Sequence, residues 1–364
     1  MEGKIPEIKE KQYKCKSCGG ILEYDPEASS LKCPFCGKIN KIKKGKGKIE
    51  EEGYLEYLKK AEKEEVYEEK RSVKCDSCGS EFGIRPEIIS TECPFCATPI
   101  VFSGKSKKTI RPKAVQPFKI SEREAKDFFK KWVKSRWFAP SELKELAFID
   151  EKITGIYLPY WTFDANTVSY YTGDRGDNYT TNQSYSAFEN GKNVTKTRSV
   201  THTKWTSASG VIFNPFDDVL VPASRTLPEK FTNGLEPWNL KSMVPYKEEY
   251  LSGFTAESYQ LEVDEGFVLA KKKMSSIIWD LVRKDIGGDK QKVYEVKTNY
   301  DKIKFKHVLL PLWISSYRFD NKVFRFVINA VTGEIRGERP WSWIKILLFI
   351  MSVIAIIALL VIIL

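Results

Sequence analysis

The sequence predicts an α+β protein with two small four-cysteine zinc ribbons, a mainly antiparallel, β-rich α+β domain and one C-terminal transmembrane helix. Three observations support this prediction. Eight cysteines fall into paired Cys-x-x-Cys motifs, much of residues 153–338 follows β-strand patterns, and the last nineteen residues carry no charge. At 364 residues the chain is long enough for more than one domain with its own core.

These patterns divide the chain into six segments. They are zinc ribbon 1 (1–40), a charged linker and helix (41–71), zinc ribbon 2 (72–103), a basic linker (104–114), the α+β domain (115–338) and the transmembrane helix (344–364). The net charge of +11 and the pI near 9.0 favour an anionic partner, either phospholipid or nucleic acid.

The eight cysteines form two copies of one pattern, offset by sixty positions. The predicted metal ligands are Cys15, Cys18, Cys33 and Cys36 in the first copy and Cys75, Cys78, Cys93 and Cys96 in the second. Neighbouring residues repeat as well, because Cys-Pro-Phe-Cys closes both copies. A duplication of one small module accounts for this repetition.

Four thiolates on two tight turns suit a structural zinc ion. Each Cys-x-x-Cys turn presents two sulfurs, and two turns complete a tetrahedron with no position left open for catalysis. Each segment is too short to fold on an apolar core alone, so the metal supplies folding free energy. The alternatives are a disulfide framework or a redox motif. The charged residues 1–14 contain no signal peptide, and the cytosolic context this implies disfavours both. We therefore expect two Zn²⁺ ions per chain.

The stretches around ribbon 2 are basic or of mixed charge. Residues 38–48 contain six lysines, and residues 49–71 are dense in Glu and Lys, which predicts a solvated helix with pairs such as Glu56 and Lys60. A second basic stretch covers residues 105–113. We interpret these segments as spacers, although lysines near a bilayer also attract anionic lipid.

The α+β domain begins with a helix and continues mainly as strands. Ser121 and Glu124 form a capping box before a basic, aromatic stripe, which is interpreted as core-facing rather than as a membrane-surface helix. Asn190-Gly191 predicts a hairpin, and residues 271–284 predict a further helix. Leu-Pro-Leu-Trp at 310–313 is similar to Leu-Pro-Tyr-Trp at 158–161, and we interpret this similarity as a diverged duplication.

The C-terminal run predicts a membrane anchor. Residues 346–364 would span about 28 Å as a helix, close to the roughly 30 Å hydrocarbon core. Trp341 and Trp343 precede the run, and Arg336, Arg339 and Lys345 place that side in the cytoplasm. A buried core helix is the alternative, but the run has no polar face. We expect a single-pass, tail-anchored cell-membrane protein with its N-terminal domains in the cytoplasm.

The search for a catalytic site indicates no enzyme. The two histidines, His202 and His307, lie in different segments, and every cysteine is assigned to metal. Residues 104–106 resemble the end of a phosphate loop, but the earlier glycine of that motif is Pro99. Four aspartates, at 174, 177, 217 and 218, are interpreted as turn residues.

Beyond the ribbons, three stretches carry a family resemblance. They are GIYLPYWTFDA (155–165), YYTGDRGD (170–177) and VTGEIRGERPWSW (331–343). Together with the ribbons they resemble a YdjG-like bacterial family of tandem zinc-ribbon membrane proteins, found largely in Gram-positive bacteria. Members are often labelled primosomal helicase-like or replisome organiser, but this chain has no ATPase motif. The resemblance implies instead a role in envelope stress with a flotillin-like (SPFH) protein and a phage-shock-protein-A homologue.

Two function classes follow from these observations. The first is a membrane-anchored scaffold, or adaptor, whose ribbons dock cytosolic proteins at the bilayer. The second is a nucleic-acid-binding zinc-ribbon protein of replication or transcription. The anchor favours the scaffold because it confines the ribbons near the membrane.

Overall fold

The computed structural model describes residues 13–43, 47, 49–61, 67–83, 90–95, 98–101, 105–142, 153–189, 192–320 and 322–363. The helices are α1 (Tyr54–Ala61), α2 (Glu122–Lys134), α3 (Glu229–Gly234), α4 (Val263–Ile286) and α5 (Trp343–Ile363). Single turns of 3-10 helix cover Leu240–Ser242 and Glu248–Leu251.

The strands of the N-terminal third are short. They are β1 (Glu23–Asp25), β2 (Ser30–Lys32), β3 (Ile39–Asn40), β4 (Glu52–Gly53), β5 (Tyr67–Lys74), β6 (Glu81–Gly83), β7 (Ser90–Glu92), β8 (Pro99–Val101), β9 (Lys105–Ile110) and β10 (Ala114–Val115). The later strands include three very long ones. They are β11 (Thr154–Glu189), β12 (Lys192–Pro222), β13 (Val244–Pro245), β14 (Thr255–Ala256), β15 (Lys290–Phe319), β16 (Lys322–Asn329) and β17 (Ile335–Gly337).

One large sheet dominates the described residues. Its central order is β12-β11-β15-β10-β13, and β14, β16, β17 and β4 join at its sides. The pairings are antiparallel except those of β10 with β15 and β14 with β11. The predicted fold class, α+β with a mainly antiparallel sheet, is confirmed.

The three long strands extend the sheet into an arm. β15 pairs with β11 from Thr154 to Gly176, and β11 and β12 then continue alone to the pair Glu189 and Lys192. The predicted Asn190-Gly191 turn lies outside the described residues. At about 3.3 Å per residue, the 36-residue β11 would measure about 120 Å if straight.

The two Leu-Pro segments occupy equivalent places in the sheet. At Pro159 the strand that pairs with the outer edge of β11 changes from β14 to β12. At Pro311 the strand that pairs with the outer edge of β15 changes from β10 to β16. The Pro159 carbonyl accepts a hydrogen bond from Ala223, and that of Pro311 accepts one from Ala330. Proline has no N–H, so it fits where the ladder is interrupted.

The tryptophans of these segments repeat this equivalence. The Trp161 indole donates to the Leu261 carbonyl and the Trp313 indole to the Ile120 carbonyl, each at 2.9 Å. Both carbonyls immediately precede a helix with a capping box, α4 and α2 respectively. The sheet therefore contains two related units, β10-α2-β11-β12 and β14-α4-β15-β16. Each short first strand pairs with the long strand of the other unit.

The helices cover the sheet through buried aromatic contacts. On α2, which begins at the predicted capping box, Phe129 stacks on Phe326 with ring centroids 3.8 Å apart. On α4, Gly266 lies against Trp161, and a Cβ at this glycine would be 2.6 Å from the indole Cδ1. The stripe on α2 is thus core-facing, as predicted.

Three elements differ from the sequence-based expectations. The helix expected within 49–71 covers Tyr54–Ala61, where Tyr57 is buried against Phe305, and residues 67–71 belong to β5. Pairing with β5 also makes residues 105–110 of the expected basic linker a strand. The helix predicted at 271–284 begins earlier, at Val263, because Glu262 and Glu265 form a capping box there.

The C-terminal helix α5 contains the candidate membrane span. Among the described residues one helix, at Trp343–Ile362, is long and apolar enough to cross a membrane, and none of it is buried in the protein. A core helix would be covered by the rest of the chain, so the exposure of this one favours a lipid environment.

Candidate metal centres

Ribbon 1 brings its four cysteine sulfurs together at one point. All four Sγ atoms lie within 4.8 Å of one another. Cys15 Sγ is 3.6 Å from Cys36 Sγ, and Cys18 Sγ is 3.4 Å from Cys33 Sγ. These separations exceed the S–S bond length of about 2.05 Å, so the four thiols are not joined as disulfides.

The backbone of each cysteine turn is folded by two short-range hydrogen bonds. The amide of Cys15 donates to the Gly20 carbonyl, and the amide of Gly19 donates back to the Cys15 carbonyl. The turns that begin at Cys33 and Cys75 contain the same pair of bonds. The glycine four residues after the first cysteine has φ between 72° and 75° in all three turns, the left-handed region that glycine adopts readily.

This sulfur cluster fits a tetrahedral zinc ion. Zn–S bonds of about 2.3 Å give sulfur–sulfur edges of about 3.8 Å, close to the two separations found in ribbon 1. The amides of Ser17 and Cys18 lower the pKa of Cys15 to about 6, which favours its thiolate. At Cys18 the Gly20 amide lowers the pKa. The sulfurs of Cys33 and Cys36 act in the opposite direction, and the net result is a pKa raised to about 12. Four adjacent thiols cannot all ionise without a cation, and a divalent metal supplies that charge.

Ribbon 2 repeats the arrangement in the part that is described. Cys75, Cys78 and Cys93 form a second cluster, in which Cys78 Sγ lies 3.6 Å from Cys93 Sγ. The predicted fourth ligand, Cys96, lies outside the described residues. The Ser80 hydroxyl is buried 3.2 Å from Cys78 Sγ and 3.3 Å from Cys93 Sγ, where it can donate to thiolates. Two sites that could hold metal ions are therefore present, consistent with zinc.

Both ribbons pack on the sheet domain. In ribbon 1, Tyr24 lies 5.5 Å from the Tyr250 ring, and its amide donates to the Ser252 carbonyl. In ribbon 2, the Glu81 carbonyl accepts from Ser258, and the Gly79 carbonyl accepts from the Gln260 side chain. Both metal sites therefore belong to ribbons that contact the sheet domain directly.

The two ribbons differ in the exposure of one equivalent phenylalanine. Phe95 of ribbon 2 is 1% exposed and belongs to the core shared with the sheet domain. Phe35, the equivalent residue of ribbon 1, is 78% exposed and lies against Gly20, and Ile21 and Ile39 of the same ribbon are also exposed. The same face of the module is therefore an intramolecular contact in ribbon 2 and a solvent-exposed apolar surface in ribbon 1.

A third group of possible metal ligands is acidic. Glu51, Asp164 and Asp217 have carboxylate oxygens within 4.8 Å of one another, and the sequence analysis had not grouped them. The buried Lys306 ammonium lies 3.0 Å from Glu51 and 2.6 Å from Asp218, so a side chain already supplies positive charge here. Burial, with a contribution from Glu51, raises the pKa of Asp164 to about 6.

The two histidines lie far apart in the structure. His307 is buried, and its Nδ1 is 3.0 Å from the Ile110 carbonyl. His202 is exposed on the β-arm, with Nε2 3.0 Å from the Thr181 hydroxyl. Each therefore has a polar contact within its own part of the fold.

Comparison with known proteins finds a relative that covers nearly the whole chain. The chain is 27% identical over 331 residues to the uncharacterized protein YdjG of Bacillus subtilis (strain 168), with 91% of this chain and 90% of that protein covered. No family model matches the chain, and no solved structure matches it. The similarity over nearly the whole length supports a YdjG-like family.

Proposed function

We propose that this chain is a non-enzymatic scaffold, anchored in the membrane by α5, which docks a cytosolic protein through the exposed face of ribbon 1. The single observation that carries the proposal is the difference between Phe35 and Phe95. The module was duplicated, and in ribbon 2 its Phe face packs against protein. The exposed copy in ribbon 1 presents the equivalent phenylalanine to solvent and is suited to the same kind of contact.

The metal sites support a structural role. Four thiolates around zinc leave no open coordination position for a substrate. In each ribbon one Zn²⁺ ion would hold the two cysteine turns together. It would thereby fix the position of the phenylalanine that lies between the last two cysteines of that ribbon. The ribbon would thus present a rigid apolar surface, which lowers the entropy cost of binding.

The anchor supports a place at the membrane. Arg336 and Arg339 precede α5 and Lys345 lies in its first turn, which favours a cytoplasmic location for the preceding domains. The family resemblance directs the choice of partner to a flotillin-like (SPFH) protein and a phage-shock-type effector. The scaffold would bring such proteins together at the membrane during envelope stress.

The test compares two surface variants of the full-length protein in cells that express a fluorescent SPFH-family protein. Phe35→Asp places a charge on the ribbon 1 face, and Phe188→Asp makes the same change at an exposed residue of the β-arm. We expect co-localised membrane foci with the wild type and with Phe188→Asp, and their loss with Phe35→Asp. Zinc content of each purified variant establishes that the ribbon remains folded.

Crosslinking from membranes, with and without nuclease, distinguishes the competing function. Capture that persists after nuclease treatment and is lost in Phe35→Asp supports protein docking. Foci unchanged by Phe35→Asp, together with tight, salt-resistant DNA binding, would reject the scaffold in favour of a nucleic-acid-binding protein.

A further inference from the structure

The turn that follows α2 packs against the beginning of α5. The Ser342 amide donates to the Phe138 carbonyl at 2.8 Å, and the Lys345 ammonium donates to the Ala139 carbonyl at 2.8 Å. The Phe138 ring also meets the Phe349 ring edge-on, with centroids 5.5 Å apart. This turn, Arg136–Ala139, is therefore held at the N-terminal end of the candidate span.

These contacts determine the depth at which the Arg136–Ala139 turn would lie in a bilayer spanned by α5. Phe349 is six residues after Trp343, which is about 9 Å along a helix axis. If the span crosses the hydrocarbon core, Phe138 lies level with its first two turns, at the boundary between headgroups and acyl chains. Trp137, the preceding residue, is 74% exposed. An amphipathic indole at this level matches the preference of tryptophan for the membrane interface.

The charges around the turn are mainly positive. Lys131 and Lys134 are exposed in the last turn of α2, and the Arg136 guanidinium lies 5.0 Å from the Trp132 ring. On the α5 side, the Arg339 guanidinium lies 4.5 Å from the Trp341 ring.

Within the part of the chain that the structure describes, acidic residues near this end of the domain include Glu142 and Glu338. Glu142 is exposed beyond the turn, and Glu338 forms an ion pair with Lys230 at 3.2 Å. Among these described residues, the cations outnumber the two anions.

We propose that the Arg136–Ala139 turn is a second membrane contact and that it binds anionic phospholipid. Trp137 enters the headgroup region, and Lys131, Lys134 and Arg136 bind lipid phosphates. The contact holds the sheet domain in one orientation over the bilayer, whereas a single helix alone would let it pivot. This inference rests on the proposed anchoring by α5.

The depth of Trp137 can be measured in the full-length protein. We would label it with 5-fluorotryptophan, place it in nanodiscs of phosphatidylcholine and phosphatidylglycerol, and record ¹⁹F spectra. Trp137→Phe and Trp343→Phe each identify one resonance by its loss. A nitroxide on the lipid acyl chain should broaden both resonances, and a water-soluble paramagnetic reagent should affect both weakly.

The two resonances separate failure of this proposal from failure of the anchor. One outcome is that the lipid nitroxide broadens the Trp343 resonance while only the water-soluble reagent broadens the Trp137 resonance. That outcome would overturn the second contact and leave the anchor intact. If the lipid nitroxide broadens neither resonance, α5 does not anchor the protein, and the second contact fails with it.

Lipid preference is tested with charge reversals. Lys131→Glu with Lys134→Glu removes two cations beside the turn, and Lys272→Glu with Lys284→Glu removes two exposed cations of α4. The ratio of phosphatidylglycerol to phosphatidylcholine retained by purified protein is then measured by mass spectrometry. Each cation near a bilayer changes affinity about fivefold, so we expect at least a fivefold fall in the first variant and little change in the second. Equal ratios in the two variants would overturn the anionic-lipid assignment.

Discussion

Glu257 should make the stability of the folded protein fall as pH rises. This glutamate follows β14 and is buried between the sheet and ribbon 2, where it forms a bridge with Phe82. Its Oε1 accepts hydrogen bonds from the Ser224 hydroxyl at 2.9 Å, from the Thr226 hydroxyl and from the Gln260 amide at 3.3 Å. Burial nevertheless raises its pKa from 4.5 to about 8, because removal of the carboxylate from water outweighs these bonds.

The direction of the effect follows from proton binding. Between about pH 4.5 and 8 the folded protein holds a proton on Glu257 that the unfolded chain releases. Each unit of rising pH in this window therefore lowers the free energy of unfolding by about 1.4 kcal/mol. Between pH 5.5 and 7.5 the loss amounts to about 3 kcal/mol, a large share of the stability of an ordinary domain.

The assay compares the wild type with Glu257→Gln, which keeps the shape of a protonated carboxyl but does not titrate. Urea unfolding of both proteins in detergent micelles would be measured at pH 5.5, 6.5 and 7.5. We expect the wild type to lose about 1.4 kcal/mol more per pH unit than the variant. Asp164 is unchanged in the variant, so its titration cancels in the difference.

A matched control tests whether the effect belongs to this site. Glu295→Gln changes an exposed glutamate that pairs with Lys297, and it should leave the slope of the wild type unchanged. Parallel pH dependences for the wild type and Glu257→Gln would refute the reasoning, because they would show that the folded and unfolded states bind the same number of protons at this group.

Three further predictions concern the metal, the packing and the anchor. Mass spectrometry of reduced, never-chelated protein should find two zinc ions per chain and one after Cys75→Ser; one or none in the wild type would contradict the two-site assignment. Gly266→Ala should cost about 1–3 kcal/mol in chemical denaturation, because its Cβ would meet Trp161 at 2.6 Å, and an unchanged midpoint would contradict this close packing. Truncation after Pro340 should move the protein from the membrane fraction to the soluble fraction, whereas sedimentation with membranes would show that α5 is not the anchor.

The cysteine turns of the candidate metal sites were predictable from the sequence because a cysteine turn is a local structure. Two thiolates three residues apart and a glycine at positive φ specify the turn with little help from the rest of the chain. The capping box at Ser121 and Glu124 was predictable for the same reason, since its hydrogen bonds span three residues. The structure adds that both ribbons pack on the sheet domain, which the cysteine spacing does not encode.

The length of the strands and the extent of the duplication were less accessible. The sequence predicted a domain made mainly of strands without their lengths, and the Leu-Pro segment at 310–311 lies well inside the 30-residue β15. A proline within a run disfavours a central strand, and here it is accommodated because the neighbouring strand changes at that point. In the sequence, the second unit was recognisable only from four similar residues, because most side chains of the two units have diverged. The strand pairing and the hydrogen bonds of Trp161 and Trp313 are nevertheless the same in both units.

Sequence alone determined the features whose physics is local: the cysteine turns, the helix cap, and an apolar run long enough to span a bilayer. Only the tertiary structure decided which copy of a repeated face is covered. Phe35 and Phe95 occur in the same motif, yet one is exposed and the other is buried, because only ribbon 2 has that face against the sheet domain. The same holds for Glu257, whose raised pKa depends on burial among residues distant in the chain. Burial is a property of the assembled core, and no window of sequence contains the residues that produce it.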